Sequence, residues 1–189
     1  MPVRRNRRLR LELVAAGARL SGAGLVLPGE GNLSARWRNI VWITPAGADK
    51  GRLAAGDLIP LGMKDASLPT GASSEARLHL EIYRRFPDVC AVVHAHPTAV
   101  LQLATRNRTV DVRLTAEGRS ELGTVGWVGF EPPGSASLAR ATAASLTSTV
   151  VSVLDQHGAV AVGASVEQAL RRMLLLESLA RLTIGENDG

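Results

Sequence analysis

Apolar positions along the chain change period several times, and the changes mark the elements. Leu9, Leu11, Leu13, Val14 and Leu20 predict an amphipathic helix over residues 5–21. Residues 33–38 and 40–44 read as two strands joined by a tight turn. A turn with a short helical connection covers 49–57, a strand 58–61 and a loop 63–71. Residues 75–86 read as a helix. The run from Cys90 to His96 is short, apolar and β-branched in its middle, so it predicts a buried strand. A short helix follows over 98–105 and a small-residue helix over 134–148. Residues 106–133, rich in Gly and Arg with isolated Trp127 and Phe130, predict no element. Residues 150–163 read as a strand, a His-Gly turn and a second short strand. Ser165 to Gln168 forms a capping box that opens a last helix over 166–183, and 186–189 is an expected frayed tail. Strands and helices alternate irregularly, which says α/β or α+β without fixing topology.

Composition narrows the class. The 189 residues, 46% apolar, suit a single domain over 1–189 with a sizeable core, and no repeat or linker interrupts them. The lone cysteine, Cys90, excludes an intramolecular disulfide and fits a reducing cytoplasm. No apolar run approaches the roughly 18 residues of a membrane span. The start, MPVRRNRRLR, is basic but lacks an apolar signal core. Such an arginine cluster can be a nucleic-acid arm. With 3% aromatic residues there is no stacking surface, so the cluster reads as a solvated helix face. A net charge of +5 would help draw in an anionic substrate.

The chemistry concentrates between Ser73 and Pro97. His94 and His96 stand at i and i+2 of the predicted strand, and so share one face. Two imidazoles at that spacing can converge on one metal ion. His157, in the predicted His-Gly turn, could be a third ligand, with Gly158 permitting a positive φ or a tight reversal. His79, on the 75–86 helix, pairs with nothing in the pattern and is assigned to surface or interface packing. Ser73 or Ser74 is a good N-cap for that helix, whose N-terminus suits a phosphate or carboxylate. Glu75 in its first turn is either a dipole-favoured glutamate or a catalytic base or metal ligand. The glycines of 22–31 form neither G-x-G-x-x-G nor a phosphate loop, but leave an open backbone that can approach a ligand. Asn32 beside them can donate its amide to an anion.

These pieces together resemble the class II (zinc-dependent) aldolase/adducin family. The matching segments are Gly31-Asn32-Leu33-Ser34-Ala35-Arg36, Ile43-Thr44-Pro45-Ala46-Gly47, Ser73-Ser74-Glu75, Val93-His94-Ala95-His96-Pro97 and Gln156-His157-Gly158. They occur in the family's order with similar spacings over about residues 10–182. The resemblance implies a three-layer α/β fold, a mainly antiparallel sheet with helices on both faces. It also implies a homotetramer with active sites at subunit interfaces. His94, His96 and His157 would hold Zn²⁺ or another divalent metal, with Glu75 as base or fourth ligand. Gly31, Asn32, Thr44, Gly47, Ser73 and Ser74 would bind the phosphate of a sugar phosphate.

The implied reaction is cleavage of a ketose 1-phosphate, such as L-fuculose 1-phosphate, to dihydroxyacetone phosphate and an aldehyde through an enediolate. Dehydratases, 4-epimerases and decarboxylases use the same core, and adducin-like modules keep the fold without catalysis. Three departures stand out. Gly29 and Ala46 replace hydroxyl residues common in relatives, leaving backbone N–H groups to serve phosphate. Phe130 falls where the fuculose-phosphate aldolases carry a proton-donating tyrosine from a neighbouring subunit. The lone tyrosine, Tyr83, is assigned to packing.

Overall fold

The computed structural model of the chain describes residues 2–65 and 67–185. The tail expected to fray, 186–189, lies outside them. Among the described residues one mixed sheet contains β1 Asn32–Trp37, β2 Ile40–Ile43, β3 Ile59–Gly62, β4 Ala91–Ala95, β5 Gly126–Val128, β6 Val151–Leu154 and β7 Gly158–Gly163. The strand order is β3-β2-β1-β4-β7-β6-β5. Neighbours pair antiparallel, except β5 and β6, which run parallel. The helices are α1 Pro2–Gly22, α2 Ala76–Arg85, α3 Thr98–Ala104, α4 Ala136–Ser145 and α5 Val166–Gly185. No helix among the described residues is long and apolar enough to cross a membrane.

Side-chain alternation along β4 sorts the helices between two cores. Ala91, Val93 and Ala95 cluster with Leu13 of α1, Leu103 of α3 and Met173 of α5. Val92, one residue out of phase, clusters with Leu78 and Ile82 of α2 and Leu138 of α4. Burying each large aliphatic side chain contributes about 1.5–3 kcal/mol. A strand apolar on both faces, as Ala91–Ala95 is, therefore suits the centre of the sheet.

Element ends follow local chemistry. α1 closes in a Schellman arrangement. Gly24 takes φ +71, Leu25 N donates to Leu20 O at 3.0 Å, and Gly24 N donates to Ser21 O at 3.0 Å. The expected serine cap of α2 is absent: Glu75 occupies the N-cap position and makes no side-chain cap bond. Ser73 Oγ instead accepts from Glu75 N at 3.3 Å, ordering the approach to the helix. α4 begins later than predicted because Ser135 caps it, accepting from Leu138 N at 3.0 Å. At α5, Ser165 Oγ accepts from Gln168 N, but the return bond runs from Ala164 N to Gln168 Oε1. The stretch without a predicted element holds β5, a 3-10 turn at Val112–Leu114 and a π-helical turn at Gly118–Leu122. Three residues of strand are too few to leave a period in the sequence.

β1 and β7 both run antiparallel to β4. The start of β1, the end of β4 and the start of β7 therefore meet at one end of the sheet. There Asn32 lies opposite His94, and Ala95 opposite Ala159.

Candidate active site

At this end of the sheet, three imidazoles and a carboxylate face one another. His94, next to last in β4, is fully buried, His96 directly follows the strand, and His157 sits in the β6–β7 turn. Their ring centroids lie 4.8–5.5 Å apart. His94 Nε2 is 3.3 Å from His96 Nε2. Glu75, entering from α2, places Oε2 3.1 Å from His94 Nε2 and Oε1 3.3 Å from His157 Nε2.

The donor set fits a divalent metal. His94 Nδ1 donates to Ala159 O at 3.0 Å, which leaves a lone pair on its Nε2. His96 Nδ1 lies 3.4 Å from Glu30 Oε2, so a carboxylate fixes that ring in the same tautomer. Two imidazole lone pairs and a carboxylate then point at one space, an arrangement that repels itself until a cation enters. Glu75 Oε1 adds to this: it is buried with no hydrogen-bond partner among the described residues. His94, His96 and His157 could hold the ion with ligand atoms all within 4.8 Å of one another. Burial alone would raise the Glu75 carboxyl, but the neighbouring His94 imidazole and the bond from Asn32 hold it below the usual carboxylate range.

Two glycines make this approach possible. A Cβ on Gly158 would lie 2.4 Å from Ala95 O, 2.9 Å from His96 Cδ2 and 3.2 Å from His94 Cε1. The positive φ of the His157 turn belongs to Gln156, at +55, and not to Gly158. Gly158 is needed for space rather than for conformation. Gly31, at φ +61, would bring a Cβ within 2.7 Å of His94 O. Its freedom serves packing against the histidine strand, where the sequence suggested approach to a ligand.

Beside the histidines, three turns converge. Pro45 bridges Ala72, and Gly29 lies 3.9 Å, measured from a built Cβ, from Gly47 O. Gly47 takes φ +66 with open space around it, and Ser74 is exposed. Other predicted anion ligands are already engaged. Ala46 N donates to Gly71 O at 2.9 Å, so this amide does not remain for an anion as expected. Thr44 is fully buried, and its hydroxyl accepts from Leu33 N at 3.2 Å. Asn32 donates from Nδ2 to Glu75 Oε2 at 2.8 Å, which leaves one amide hydrogen uncommitted by that bond. Ser73 is buried under the α2 entry.

Residues 11–184 match the model of the family described as class II aldolase and adducin N-terminal domain. The chain belongs to this family. It is similar to the L-fuculose phosphate aldolase of Methanocaldococcus jannaschii, 31% identical over 82% of this chain and 83% of that one. The methylthioribulose-1-phosphate dehydratase of Acidiphilium cryptum is 39% identical, over 54% of this chain and 50% of that one. The crystal structure of L-fuculose-1-phosphate aldolase from Thermus thermophilus superposes with a TM-score of 0.88 at 29% identity, covering 95% of this chain and 94% of that one. These class II aldolase relatives are lyase-type enzymes.

Several residues of this class II aldolase family member were not singled out, or were assigned otherwise, from sequence. Glu30 supports His96 across a 3.4 Å contact with its Nδ1, and no local pattern in the glycine turn announces that contact. Glu177 of α5 is buried and accepts from Ala99 N and Val100 N, capping α3 just beyond His96. His79 is fully buried, not at the surface, and bonds through both ring nitrogens. Tyr83 is packed, as expected, but its hydroxyl also bonds Ser34. Phe130 is 58% exposed on the loop after β5. That loop returns at Gly134, whose built Cβ lies 3.1 Å from Ser74 O.

The buried histidines make stability depend on pH. Burial, reinforced by nearby His94, lowers His79 to about 3 and His157 to about 4 from an ordinary 6.5. The unfolded chain then binds more protons than the folded one between those values and 6.5. Stability is fully present above that window and is lost as pH falls through it. Each histidine contributes up to about 1.4 kcal/mol per pH unit. Urea unfolding of metal-free protein is expected to show a lower midpoint near pH 5 than near pH 7.5, and equal midpoints would contradict this.

Proposed function

We propose that the protein is a metal-dependent aldolase that cleaves a ketose 1-phosphate, such as L-fuculose 1-phosphate, to dihydroxyacetone phosphate and an aldehyde. The observation that carries the reading is the convergence of His94, His96, His157 and Glu75 beside the open turn at Gly47 and Ser74. His94, His96 and His157 would hold zinc, although three imidazoles also suit Mn²⁺, Co²⁺, Ni²⁺ or Fe²⁺. A divalent ion there supplies a Lewis acid that polarises a substrate carbonyl. In cleavage the hydroxyl of the departing carbon loses its proton as the aldehyde forms, and the carbon left next to that carbonyl takes a proton from Glu75. In the reverse, condensation direction the Glu75 carboxylate, held ready by Asn32, removes that same proton. Gly47, Ser74 and the remaining Asn32 amide hydrogen orient the phosphate, with Gly31, Thr44 and Ser73 supporting the turns behind them. We further infer one domain over 1–189 in a three-layer fold, a homotetramer with interface sites, and a cytoplasmic location.

A dehydratase on a related sugar phosphate is the second reading. Phe130, which has no proton to give, and the 39% identity to the methylthioribulose-1-phosphate dehydratase favour it. Phosphorus NMR of L-fuculose 1-phosphate and methylthioribulose 1-phosphate with the zinc-loaded protein separates the two. Dihydroxyacetone phosphate from the first substrate supports the aldolase. Loss of water from the second with its carbon chain intact replaces it. If Phe130 has removed the acid, Phe130→Tyr is expected to raise cleavage of L-fuculose 1-phosphate by about tenfold or more, towards the 10²–10⁴ of a positioned acid. An unchanged cleavage rate would remove Phe130 from the argument.

A further inference from the structure

Behind Glu75 a file of polar side chains runs into the core. Glu75, His79 and Tyr83 stand at i, i+4 and i+8 around α2, one stripe of the helix. Asn32 and Ser34 stand at i and i+2 on the facing side of β1. None of the five is more than 5% exposed. The contacts alternate between the elements. Asn32 Nδ2 meets Glu75 Oε2 at 2.8 Å, and His79 Nε2 meets Asn32 Oδ1 at 2.5 Å. Ser34 Oγ meets His79 Nδ1 at 2.6 Å, and Tyr83 Oη meets Ser34 Oγ at 2.8 Å.

Only one distribution of protons satisfies the file. An ionised carboxylate can only accept, so the Asn32 amide must turn its N–H toward Glu75. Its oxygen then faces His79, whose Nε2 must carry the proton. No carboxylate touches this fully buried ring, and burial keeps it neutral. Its Nδ1 therefore accepts from Ser34, and Ser34, its proton spent, accepts from Tyr83. Every bond points toward Glu75, and the aligned dipoles strengthen one another.

We propose that His79 is a positioning residue that locks the Asn32 amide with its N–H on Glu75 and so aims the carboxylate between His94 and His157. The role rests on the reading of Glu75 as base or metal ligand. Without the His79 donor, the Asn32 oxygen is buried and unpaired, and the amide is free to rotate its oxygen toward the carboxylate. Ser34 and Tyr83 act one step further back, by holding the tautomer of His79.

Nitrogen-15 NMR of histidine-labelled, metal-free protein tests the file directly. His79 is expected as the Nε2–H tautomer with a bare Nδ1 at neutral pH. An Nδ1–H or doubly protonated His79 overturns the proposal, whatever the metal does. Zinc affinity by chelator competition tests the consequence, with melting temperature as the control for folding. His79→Leu is expected to weaken zinc binding by about 10–100-fold, the range for residues that support metal ligands. His79→Gln, whose amide can reach the position of Nε2 and donate to Asn32, is expected to recover most of that loss. Equal weakening in the two variants at equal melting temperature would show a packing role and refute positioning. Tyr83→Phe, which leaves the Ser34 donor in place, provides a milder variant should His79→Leu fold poorly: His79 is expected to keep the Nε2–H tautomer in it, and a shift to Nδ1–H would overturn the file. Wild-type protein that binds no zinc while His79 shows the expected tautomer would refute the metal reading and the positioning role together, and leave the hydrogen-bond file standing.

Discussion

Replacing Glu75 by glutamine is expected to lower the rate of proton exchange from dihydroxyacetone phosphate by about 10²–10⁴, the contribution typical of a positioned general base. The substitution is nearly isosteric and keeps an oxygen toward Asn32. It removes the negative charge that faces His94 and His157 at 3.1 and 3.3 Å. Deuterium incorporation followed by proton NMR measures the step without needing the aldehyde partner. Metal content decides which role Glu75 holds. About one zinc per chain in both proteins, with exchange lost only in the variant, makes Glu75 the base. Loss of zinc together with exchange makes it chiefly a ligand. Exchange at the wild-type rate would remove Glu75 from the mechanism.

The second large effect is expected at a residue with no side chain. Gly158→Ala would place a methyl group 2.4 Å from Ala95 O and 2.9 Å from His96 Cδ2. Neither neighbour can yield cheaply. Ala95 O belongs to a central strand, and Ala95 pairs with Ala159 in the β4–β7 ladder. Overpacking of this kind costs about 1–3 kcal/mol, more where backbone must move. For a chain of this length that corresponds to a fall in melting temperature of roughly 3–10 °C. Because the clash lies against both His94 and His96, zinc affinity is expected to fall as well. Gly56→Ala is the control, since nothing lies within 4 Å of a Cβ there. A Gly158→Ala protein with unchanged melting temperature and zinc affinity would show that the β6–β7 turn can withdraw from β4 at little cost.

His94 and His96 were legible because a strand puts i and i+2 on one face, a purely local rule. Glu75 was legible only as ambiguous, since a first-turn glutamate has an ordinary reason to be there. His79 was misread for a physical reason. Its partners, Asn32 and Ser34, lie 47 and 45 residues away along the chain, and no local pattern announces a bond across that separation. Glu30 and Glu177 were overlooked on the same ground, because each supports a backbone or ring that folding brings to it. Ala46 shows the converse error. Its amide counted as free until the Gly71 carbonyl, 25 residues on, came to occupy it.

The sequence by itself determined the elements whose periods are long enough to register, the central strand apolar on both faces, and the residue types able to hold a divalent metal. These follow from helical and strand geometry within single segments. Tertiary structure alone decided that the start of β1, the end of β4 and the β6–β7 turn meet at one end of the sheet. It also decided which glycines are indispensable and which anion ligands were already spent. The reason is that antiparallel pairing and helix packing join positions far apart in the chain, and a hydrogen bond or a clash exists only once both partners are in place.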